Sequence, residues 1–507
     1  MASAQTFSEV VSLRAASHPN KNAIRDGDLT VTYLQLEKTA DRLARRLIAV
    51  GVHPGDRVIL MADNSAVHLA AALAIWRAGA VLTTLYASSG PGEVSYAVEH
   101  SAASLLVVDD RAAAVAARID DAPPTVTISN LDFTGNDDDH PGGRPDVEAP
   151  ADSLALICYT SGSTAAPKAV MHSHAGLLAG AQAYANVWHL GPEDRTVVCL
   201  PMAWAFGLVT TSMATLVASG EIIVLARTKP DLIIDALTRQ AGTFLAGVTT
   251  MFVKLTERLA ELGDVKMPAL RLCISGGEPR NETVFARWTD ATGCAVHDVY
   301  AASECFPAVT YDPYRDPVPV RGSSGYVAPG SQMRVVDAEG NDVPPGTVGE
   351  ALWKAPAHFL GYWRDRELTA KAITGDGWYR TGDLVRVDEQ GYVFVEGRLS
   401  DMIIRGGSNV SPSEVEGVLG RHPSVRSAAV VGLPDPHYGE QIAAVVVLVD
   451  GHALDSERLR AFCAEHLAGY KVPTTFAAVD VLPTNSRTGK VDRRQLKADL
   501  LKSGVPA

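Results

Sequence analysis

Short apolar runs recur along the first half of the chain and alternate with stretches of helical character. The runs read "DRVILM", "SLLVVD", "LALICY", "EIIVLA" and "LRLCIS". Runs of this length between helical segments are typical of βαβ units, in which parallel strands are buried beneath helices. The pattern therefore predicts an α/β fold with parallel-rich sheets for the amino-terminal part of the chain.

The segment from Val67 to Tyr86 is almost long enough and apolar enough to span a bilayer. It is rich in alanine, however, contains Arg77 and Gly79, and ends in the β-like run "AVLTTLY". These features predict a buried helix followed by a strand, so we expect no membrane insertion.

After about residue 320 the pattern changes to short strands separated by Gly and Asp turns, as in "MRVVDAEGNDVPPGTVGEALW" and "VRVDEQGYVFVEG". This pattern of short strands and turns predicts a small β-rich subdomain. Another α/β segment begins around "RLSDMIIRGGSN", and the last 100 or so residues are numerous enough to fold separately. The acidic, Gly- and Pro-rich stretch "FTGNDDDHPGGRPDVEAPA" is expected to be a surface loop or a boundary.

The composition and net charge limit the classes of ligand that the protein is expected to bind. The 507 residues, 47% of them hydrophobic, suffice for several cores, and 45 basic against 58 acidic residues leave a net charge of −13. This charge disfavours nonspecific binding to nucleic acid or to an anionic membrane, so an anionic ligand needs a local positive site. The six cysteines form no C-x-x-C pair, and the amino terminus lacks the order of a signal peptide, so a cytoplasmic protein with reduced thiols is expected.

The stretch "ICYTSGSTAAPKAVMHSHAG" (157–176) suggests a phosphate-binding loop. A strand over 154–159, a Ser/Thr/Gly turn and a helix starting near His174 would place backbone N–H groups around phosphate oxygens, and Lys168 would add a positive charge. The spacing of a P-loop is absent, however. An ordinary connection between a strand and a helix is the alternative interpretation.

Four further stretches carry candidate chemistry, and each has an ordinary explanation when taken alone. In "DVYAASE", Tyr300 offers a face for a base and Glu304 a carboxylate for Mg²⁺. In "GWYRTGDLV", Asp383 is a possible acceptor for two ribose hydroxyls or a solvated turn residue. "EGRLSDMIIRGGSNVSPSEVE" and "PTNSRTGKVDRRQL" add Arg398 and Lys490, which are otherwise surface charges.

Taken together and in this order, the five motifs resemble those of the adenylate-forming superfamily, which comprises acyl-CoA synthetases, amino-acid adenylation domains and beetle luciferases. The resemblance extends over nearly the whole chain, and "GRLSDMIIRGGSNVSPSEVE" is most similar to the acyl-CoA and aryl-CoA ligases. It implies a large amino-terminal domain (1–398) with parallel-rich sheets, flanking helices and the β-rich subdomain. A hinge (399–401) and a smaller, mobile carboxy-terminal α/β domain (402–507) would follow.

The resemblance also implies a reaction with ATP, Mg²⁺ and coenzyme A. A carboxylate attacks the α-phosphate to give acyl-AMP and pyrophosphate, and a thiol then displaces AMP. The implied catalytic residues are Lys490, Thr164 and Glu304, of which Glu304 would bind the metal. The implied ATP-binding residues are Thr160, Ser161, Gly162, Ser163, Thr164, Lys168, Gly277, Glu278, Pro279, Asp298, Val299, Tyr300, Ala301, Ser303, Asp383 and Arg398.

The remaining implied positions concern the acid and the thiol. The acid pocket would be lined by Trp204, Ala205, Phe206, Gly247, Val248, Thr249, Gly276 and Ala302, the pantetheine tunnel would pass Gly406 and Gly407, and Ser400 would be the hinge residue. Tyr300 would stack on adenine, and Lys490 would bridge the substrate carboxylate and the ribose or phosphate oxygens.

This sequence departs from the family pattern at several positions. Ala165 and Ala169 stand where the phosphate loop usually has glycine, and Ala301 replaces the glycine after the adenine-binding tyrosine. If a glycine position requires φ > 0, alanine there costs about 1–2 kcal/mol; if it does not, alanine only stiffens the loop. Ser303 replaces a usual threonine, and Ser400 replaces the usual Asp or Lys.

The pocket residues favour a neutral acid with an apolar or aromatic body. Trp204 stands where many ligases have histidine, and the segment "LPMAWAFGL" lacks the Asp that pairs with an amino-acid ammonium. A bulky alicyclic, aryl or medium-chain acid fits these small and apolar positions. Three classes remain: a CoA ligase, favoured by the glycines of "RGGSN"; an enzyme that loads a carrier protein; and a non-catalytic nucleotide-binding protein.

Overall fold

The computed structural model describes residues 4–129, 131–134, 145, 147, 149–160, 167–484 and 491–503. Within these residues the α-helices are α1 Phe7–Ser17, α2 Tyr33–Ala49, α3 Ala66–Arg77, α4 Pro91–Ser101, α5 Asp110–Ala116, α6 His174–Val187, α7 Ala214–Val217, α8 Pro230–Thr238, α9 Thr249–Leu262, α10 Glu282–Thr292, α11 Arg366–Ala372, α12 Pro412–Leu419, α13 Ser456–His466 and α14 Arg493–Lys502. A π-helix, Phe206–Met213, precedes α7, and short 3₁₀ helices span Leu399–Asp401 and Gly469–Lys471.

The strands within the same residues are β1 Asn22–Asp26, β2 Leu29–Thr32, β3 Arg57–Met61, β4 Val81–Leu85, β5 Ala103–Val108, β6 Thr125–Thr127, β7 Leu154–Thr160, β8 Lys168–Ser173, β9 Arg195–Val198, β10 Glu221–Val224, β11 Phe244–Gly247, β12 Leu272–Gly276, β13 Val296–Ala302, β14 Cys305–Thr310, β15 Tyr326–Val327, β16 Gln332–Val336, β17 Val348–Lys354, β18 Ala357–His358, β19 Gly361–Tyr362, β20 Tyr379–Val387, β21 Val393–Arg398, β22 Ile403–Arg405, β23 Ser408–Val410, β24 Val425–Asp435, β25 Gly439–Leu448 and β26 Thr475–Ala478.

Two large sheets carry the amino-terminal part; both have parallel centres, the first has antiparallel strands at both edges, and the second has them only at the β19–β8 edge. One runs in the order β15-β14-β13-β12-β11-β9-β10-β1-β2, with β18 paired to β14, and the other runs β19-β8-β7-β4-β3-β5-β6. The pairs from β1 through β10, β9, β11 and β12 to β13 are all parallel. The five apolar runs of the sequence lie in β3, β5, β7, β10 and β12, so the predicted α/β fold is confirmed.

The later part of the chain forms two smaller sheets. Strands β16, β17, β20 and β21 make the antiparallel sheet that the short strands after about residue 320 predict. Strands β22 to β26 form a sheet of their own, and two hydrophobic clusters, from Ile403 to Cys463 and from Ala429 to Leu500, are built only from residues after 402. Among the described residues, the buried core thus changes at the end of β21.

The segment 67–86 folds as the sequence predicts, into α3 followed by β4. Every residue of α3 except Val67 is buried, which explains its apolar composition. The buried Arg77 guanidinium pairs with Asp41 at 2.8 Å and with Glu37. Its charge is therefore compensated within the core. No helix in the described ranges is long and apolar enough to cross a membrane.

The strand over 154–159 and the helix start near His174 are confirmed as β7 and α6, but the prediction that a turn alone connects them is wrong. The chain between the predicted phosphate loop and α6 is a strand, β8, which pairs antiparallel with β7 and β19. Ala169 and Val170 of β8 are buried, and such apolar positions favour pairing within the sheet. The loop therefore joins two antiparallel strands, while the amino terminus of α6, capped by Ser173, lies at the far end of β8.

Candidate active site

Glu304, the predicted magnesium ligand, lies in the two-residue turn between β13 and β14 and is only 7% exposed. The backbone of this turn is held by two hydrogen bonds. The Phe359 amide donates to the Glu304 carbonyl at 2.8 Å, and His172 Nε2 donates to the Ser303 carbonyl at 2.6 Å. Burial lowers the pKa of His172 to about 4, so its imidazole is neutral at pH 7.

The Glu304 carboxylate is held by Tyr362, the last residue of β19. The Tyr362 hydroxyl donates to Glu304 Oε1 at 2.8 Å, and the Nζ of Lys168 lies 5.3 Å from the centre of the Tyr362 ring. Burial, and after it the Glu304 charge, raises the pKa of Tyr362 well above its usual range. The phenol therefore stays protonated and continues to donate at neutral pH.

The two ends of the predicted phosphate loop are joined by strand pairing. Thr160, the last residue of β7, pairs with Lys168, the first residue of β8. Ala169 follows with a negative φ, is 3% exposed, and accepts a hydrogen bond at its carbonyl from the Trp363 amide at 2.8 Å. A glycine is not needed at this position, since a strand residue there carries a methyl group without strain.

Asp383, the predicted ribose-binding carboxylate, is 5% exposed and is held at both oxygens. Arg398 Nε lies 2.8 Å from Oδ1, directly across the pair β20–β21, and the Tyr300 hydroxyl donates to Oδ2 at 2.6 Å. The Tyr300 ring is packed edge-on against Trp353, with centroids 4.6 Å apart. The Asp383 charge raises the pKa of Arg398, and burial followed by that same charge raises the pKa of Tyr300.

The predicted nucleotide-binding residues Gly277, Glu278 and Pro279 directly follow β12. Gly277 has φ +79°, a left-handed conformation that favours glycine. The Glu278 carboxylate accepts from the Thr250 amide at 2.8 Å, and the Pro279 carbonyl accepts from the Thr249 hydroxyl at 2.9 Å. These bonds tie the segment to the start of α9 and fix its position beside the end of β11.

Asp298, in β13, has its side chain directed into the protein. The Ser324 hydroxyl donates to Oδ2 at 2.6 Å, while Oδ1 is buried without a partner among the described atoms. Burial raises the pKa of Asp298 to about 6, although the nearby Arg280 acts in the opposite direction. The structure thus directs this carboxylate towards Ser324, and only the backbone of Asp298 remains available for the predicted contact with ATP.

The predicted acid pocket is lined by apolar groups. The rings of Trp204 and Phe206 pack edge-to-face with centroids 5.4 Å apart. A Cβ built on Gly276 would lie 3.3 Å from Phe206 Cε1, and one built on Gly247 would lie 1.8 Å from the methyl group of Met251. The Met251 side chain therefore occupies the space beside Gly247. The remaining predicted pocket residues lie in or next to the same elements and the end of β13: Ala205, Val248, Thr249, Ala302.

The predicted thiol tunnel glycines form the two-residue turn between β22 and β23. Gly406 and Gly407 have φ of +57° and +82°, as the favoured hairpin turn requires. A Cβ on Gly406 would lie 3.3 Å from Tyr438 Cδ1, whereas a Cβ on Gly407 would meet nothing within 4 Å. Ser400, the predicted hinge residue, is exposed in the 3₁₀ helix after β21 and donates to Asp401 Oδ1 at 3.0 Å.

Several predicted residues lie outside the described ranges. They are Ser161, Gly162, Ser163, Thr164 and Lys490, together with Ala165. Their predicted roles remain expectations from the sequence. Within the described ranges no three His, Cys, Asp or Glu side chains form a metal-binding group. A single carboxylate such as Glu304 nevertheless suits Mg²⁺, which takes one or two carboxylates together with phosphate oxygens and water.

Sequence reasoning missed residues that the fold brings to this site. Tyr362 and His172 hold Glu304 and its turn, Met251 fills the space beside Gly247, and Tyr379 is buried near Glu304 and Asp383, whose charges add to burial in raising its pKa. Nothing in the local sequence separates Tyr362 from the rest of the 14 tyrosines in the chain. Only the pairing of β19 with β8 reveals its position.

The fold and these residues together define a class of protein, and comparison with known proteins identifies it. Residues 11–363 match the family described as AMP-binding enzyme, and residues 414–490 match the AMP-binding enzyme C-terminal domain. A crystal structure of ATP-bound MatB from Rhodopseudomonas palustris superposes with a TM-score of 0.89 at 32% identity, covering 97% of this chain and 99% of MatB.

Curated relatives agree with this class. A feruloyl-CoA synthase from an Amycolatopsis species is 34% identical over 485 residues, which are 96% of this chain and 97% of the relative. A fatty acid–[acyl-carrier-protein] ligase, ScoC, from Streptomyces coeruleorubidus is 30% identical over 516 residues, covering 97% of this chain and 96% of that protein. The chain therefore belongs to the adenylate-forming superfamily, in its group of AMP-forming acyl-CoA synthetases.

Proposed function

We propose that the protein activates a neutral carboxylic acid with an apolar body, aryl, alicyclic or medium-chain, and transfers the acyl group to coenzyme A. A carboxylate oxygen of the acid attacks the α-phosphorus of MgATP, and the bond to pyrophosphate breaks. The thiol sulfur of CoA then attacks the acyl carbonyl carbon of the acyl-AMP. AMP leaves, and the thiol proton passes to solvent.

The observation that carries the substrate class is the apolar lining of the pocket. The rings of Trp204 and Phe206 pack against each other, Phe206 approaches Gly276, and the thioether of Met251 lies beside Gly247, so these contacts of the proposed pocket are apolar. A buried charge without a partner is costly, so a second carboxylate or an ammonium on the acid would be disfavoured. An aromatic or aliphatic body instead gains burial and ring contacts.

In this proposal each charged group near the pocket has a separate role. Glu304 would hold Mg²⁺, which neutralises phosphate charge when it is bound, and Lys168 would contact phosphate oxygens. Asp383 would accept from the ribose hydroxyls, with its carboxylate oriented by the ion pair to Arg398. A carboxylate has about four lone-pair sites and can accept from more than one hydroxyl at a time.

The two proposed reaction steps require two orientations of the carboxy-terminal domain relative to the amino-terminal domain. We assign residues 1–398 to the adenylating domain, 399–401 to the hinge and 402–507 to the mobile domain. The separate hydrophobic clusters on the two sides of the 3₁₀ helix Leu399–Asp401 support this division. The exposed Ser400 is suited to absorb the φ/ψ change of a rotation, since few contacts restrain it.

The proposal is tested by supplying the purified protein with MgATP, CoA and a panel of acids. The panel pairs substituted benzoic, cinnamic, alicyclic and medium-chain acids with dicarboxylic acids and amino acids of matched size. We expect AMP and pyrophosphate in equal amounts with the neutral apolar acids and little with the others. ADP with an acyl phosphate would contradict the mechanism, and a preference for dicarboxylates would contradict the substrate class.

Transfer to a carrier protein is the second candidate. It is supported by the similarity to ScoC, which is named as a fatty acid–[acyl-carrier-protein] ligase. The same acid panel, run in parallel with CoA and with a phosphopantetheinylated carrier protein, distinguishes the two acceptors. Faster thioester formation on the carrier protein would replace CoA as the proposed acceptor. Acid-independent ATP binding with no product in either arm would favour the third class, a non-catalytic nucleotide-binding protein.

A further inference from the structure

Tyr362 stands between the two oppositely charged side chains of the proposed triphosphate site. Its hydroxyl donates to Glu304 Oε1 at 2.8 Å, and the ammonium of Lys168 lies over its ring, 5.3 Å from the centroid. The arrangement follows from strand register. Tyr362 pairs with Val170 of β8, and Lys168 lies two residues before Val170 and so points to the same side of the sheet.

Both charges remain available in this arrangement. The second carboxylate oxygen of Glu304, Oε2, accepts a hydrogen bond from none of the residues that the structure describes. Within the same residues Lys168 forms no ion pair, and its ammonium makes only the contact with the ring. An ammonium and a carboxylate in direct contact attract each other strongly. The buried ring, 4% exposed, prevents that contact.

We propose that Tyr362 is a positioning residue for the Mg²⁺–triphosphate group, a role that rests on the proposed function. Its ring keeps Lys168 from pairing with Glu304, so that the lysine can contact phosphate. Its hydroxyl binds Oε1 and thereby orients the carboxylate with Oε2 towards the metal. The metal itself supplies charge neutralisation on the phosphates when bound; the tyrosine orients the residue that holds it.

Two substitutions separate the two parts of this role. Tyr362→Phe removes the hydrogen bond to Glu304 and keeps the ring, whereas Tyr362→Leu removes both. Titration calorimetry measures ATP binding with Mg²⁺ and with EDTA, so it requires no turnover. For Tyr362→Phe we expect Mg²⁺ to improve ATP affinity by about fivefold to tenfold less than in the unsubstituted protein, with metal-free binding unchanged. For Tyr362→Leu we expect weaker ATP binding under both conditions.

A matched control distinguishes positioning from a general loss of buried hydrogen bonding. The hydroxyl of Tyr33 is equally buried and donates to the Gly220 carbonyl at 2.7 Å. Tyr33→Phe should lower the thermal midpoint about as much as Tyr362→Phe but leave the gain in ATP affinity from Mg²⁺ intact. In Tyr362→Phe, thioester formation from synthetic acyl-AMP should be nearly unchanged, because that step contains no triphosphate.

Each outcome of these measurements supports or contradicts one part of the role proposed for Tyr362. An unchanged Mg²⁺ gain in Tyr362→Phe would overturn the orienting role of the hydroxyl, and unchanged metal-free binding in Tyr362→Leu would overturn the spacing role of the ring. Equal losses in adenylation and in thioester formation would show that Tyr362 is only structural. If the unsubstituted protein shows no acid-dependent pyrophosphate exchange, the proposed function fails, while the ATP-binding series still decides the role of Tyr362.

Discussion

Tyr300 and Asp383 are joined by a hydrogen bond of 2.6 Å from the phenol to Oδ2, although 83 residues separate them in the chain. The bond connects the end of β13 to β20, and thus the large sheet to the small antiparallel one. With Arg398 on Oδ1, the Asp383 carboxylate is oriented before any nucleotide binds. Such preorganisation reduces the free energy spent on ordering the site during binding.

Tyr300→Phe tests this orientation. Removing one donor to a buried carboxylate should cost about 1–2 kcal/mol of ribose binding, which corresponds to a KM for ATP raised by roughly fivefold to thirtyfold. Steady-state kinetics at saturating acid and CoA measure the change. The dependence on Mg²⁺ concentration should stay as it is, because Glu304, the proposed metal ligand, has a different donor. An unaltered KM for ATP would show that Asp383 needs no orientation by Tyr300.

The two alanines of the phosphate loop lead to different expectations. Ala169 is buried in β8 with ordinary strand geometry. Ala169→Gly should therefore destabilise the protein by about 0.5–1 kcal/mol and leave the KM for ATP unchanged. Ala165 lies outside the described residues, so the expectation from the sequence stands for this position. In Ala165→Gly the KM for ATP should fall, by about tenfold at most. Thermal unfolding and ATP kinetics of both variants provide the measurement, and a lower KM in Ala169→Gly would contradict the structure.

Asp298→Asn should change how stability depends on pH. Burial raises the pKa of Asp298 from 3.8 to about 6, so the folded protein binds more protons than the unfolded chain between these values. Stability should therefore fall as pH rises from about 4 to 6, by about 3 kcal/mol for this group, and should be level above that range. The asparagine variant lacks this fall.

Denaturant unfolding between pH 4 and pH 7 measures the difference. Asp264→Asn serves as the control, because the Asp264 side chain is 77% exposed and the same substitution there removes no buried carboxylate. Parallel pH profiles for Asp298→Asn and the unsubstituted protein would show that the buried carboxylate is not the cause.

Trp204→Ala should enlarge the acid pocket. Removing the indole leaves Phe206 without its edge-to-face partner and opens space for a longer or wider acid. We expect kcat/KM to shift towards larger acids by roughly tenfold relative to small ones, with the KM for ATP nearly unchanged. The acid panel gives this ratio directly. A change confined to ATP kinetics would place Trp204 outside the acid pocket.

Lys490→Ala tests the moving domain and the first half-reaction together. If Lys490 reaches the substrate carboxylate and the α-phosphate only during adenylation, the variant should slow acid-dependent ATP–pyrophosphate exchange by roughly a hundredfold or more. Its thioester formation from synthetic acyl-AMP and CoA should stay close to normal. Equal losses in both assays would argue against separate positions of the carboxy-terminal domain for the two steps.

The sequence by itself was sufficient for the fold class and for the identity of the chemistry. Apolar runs such as "LALICY" and "LRLCIS" predict buried parallel strands, because short and nearly continuous apolar segments are typical of strands that are covered on both faces. The ordered motifs around Lys168, Glu304 and Asp383 predict the superfamily, since each motif is a short local stretch that can be compared with the family pattern without knowledge of the fold. A domain boundary near residue 398 stays a prediction, which rests on the local change of pattern around "RLSDMIIRGGSN" and on the resemblance.

Only the tertiary structure decided how the charged groups are held. Ala169 lies in a strand because β7 and β19 flank it, although "APKAVMHSH" has no local pattern that excludes a loop leading into a helix. Tyr362 and His172 act on the turn that carries Glu304 from positions 58 and 131 residues away from their partners. Strand pairing, burial and hydrogen bonding across such separations depend on the path of the whole chain, and local propensity does not contain that information.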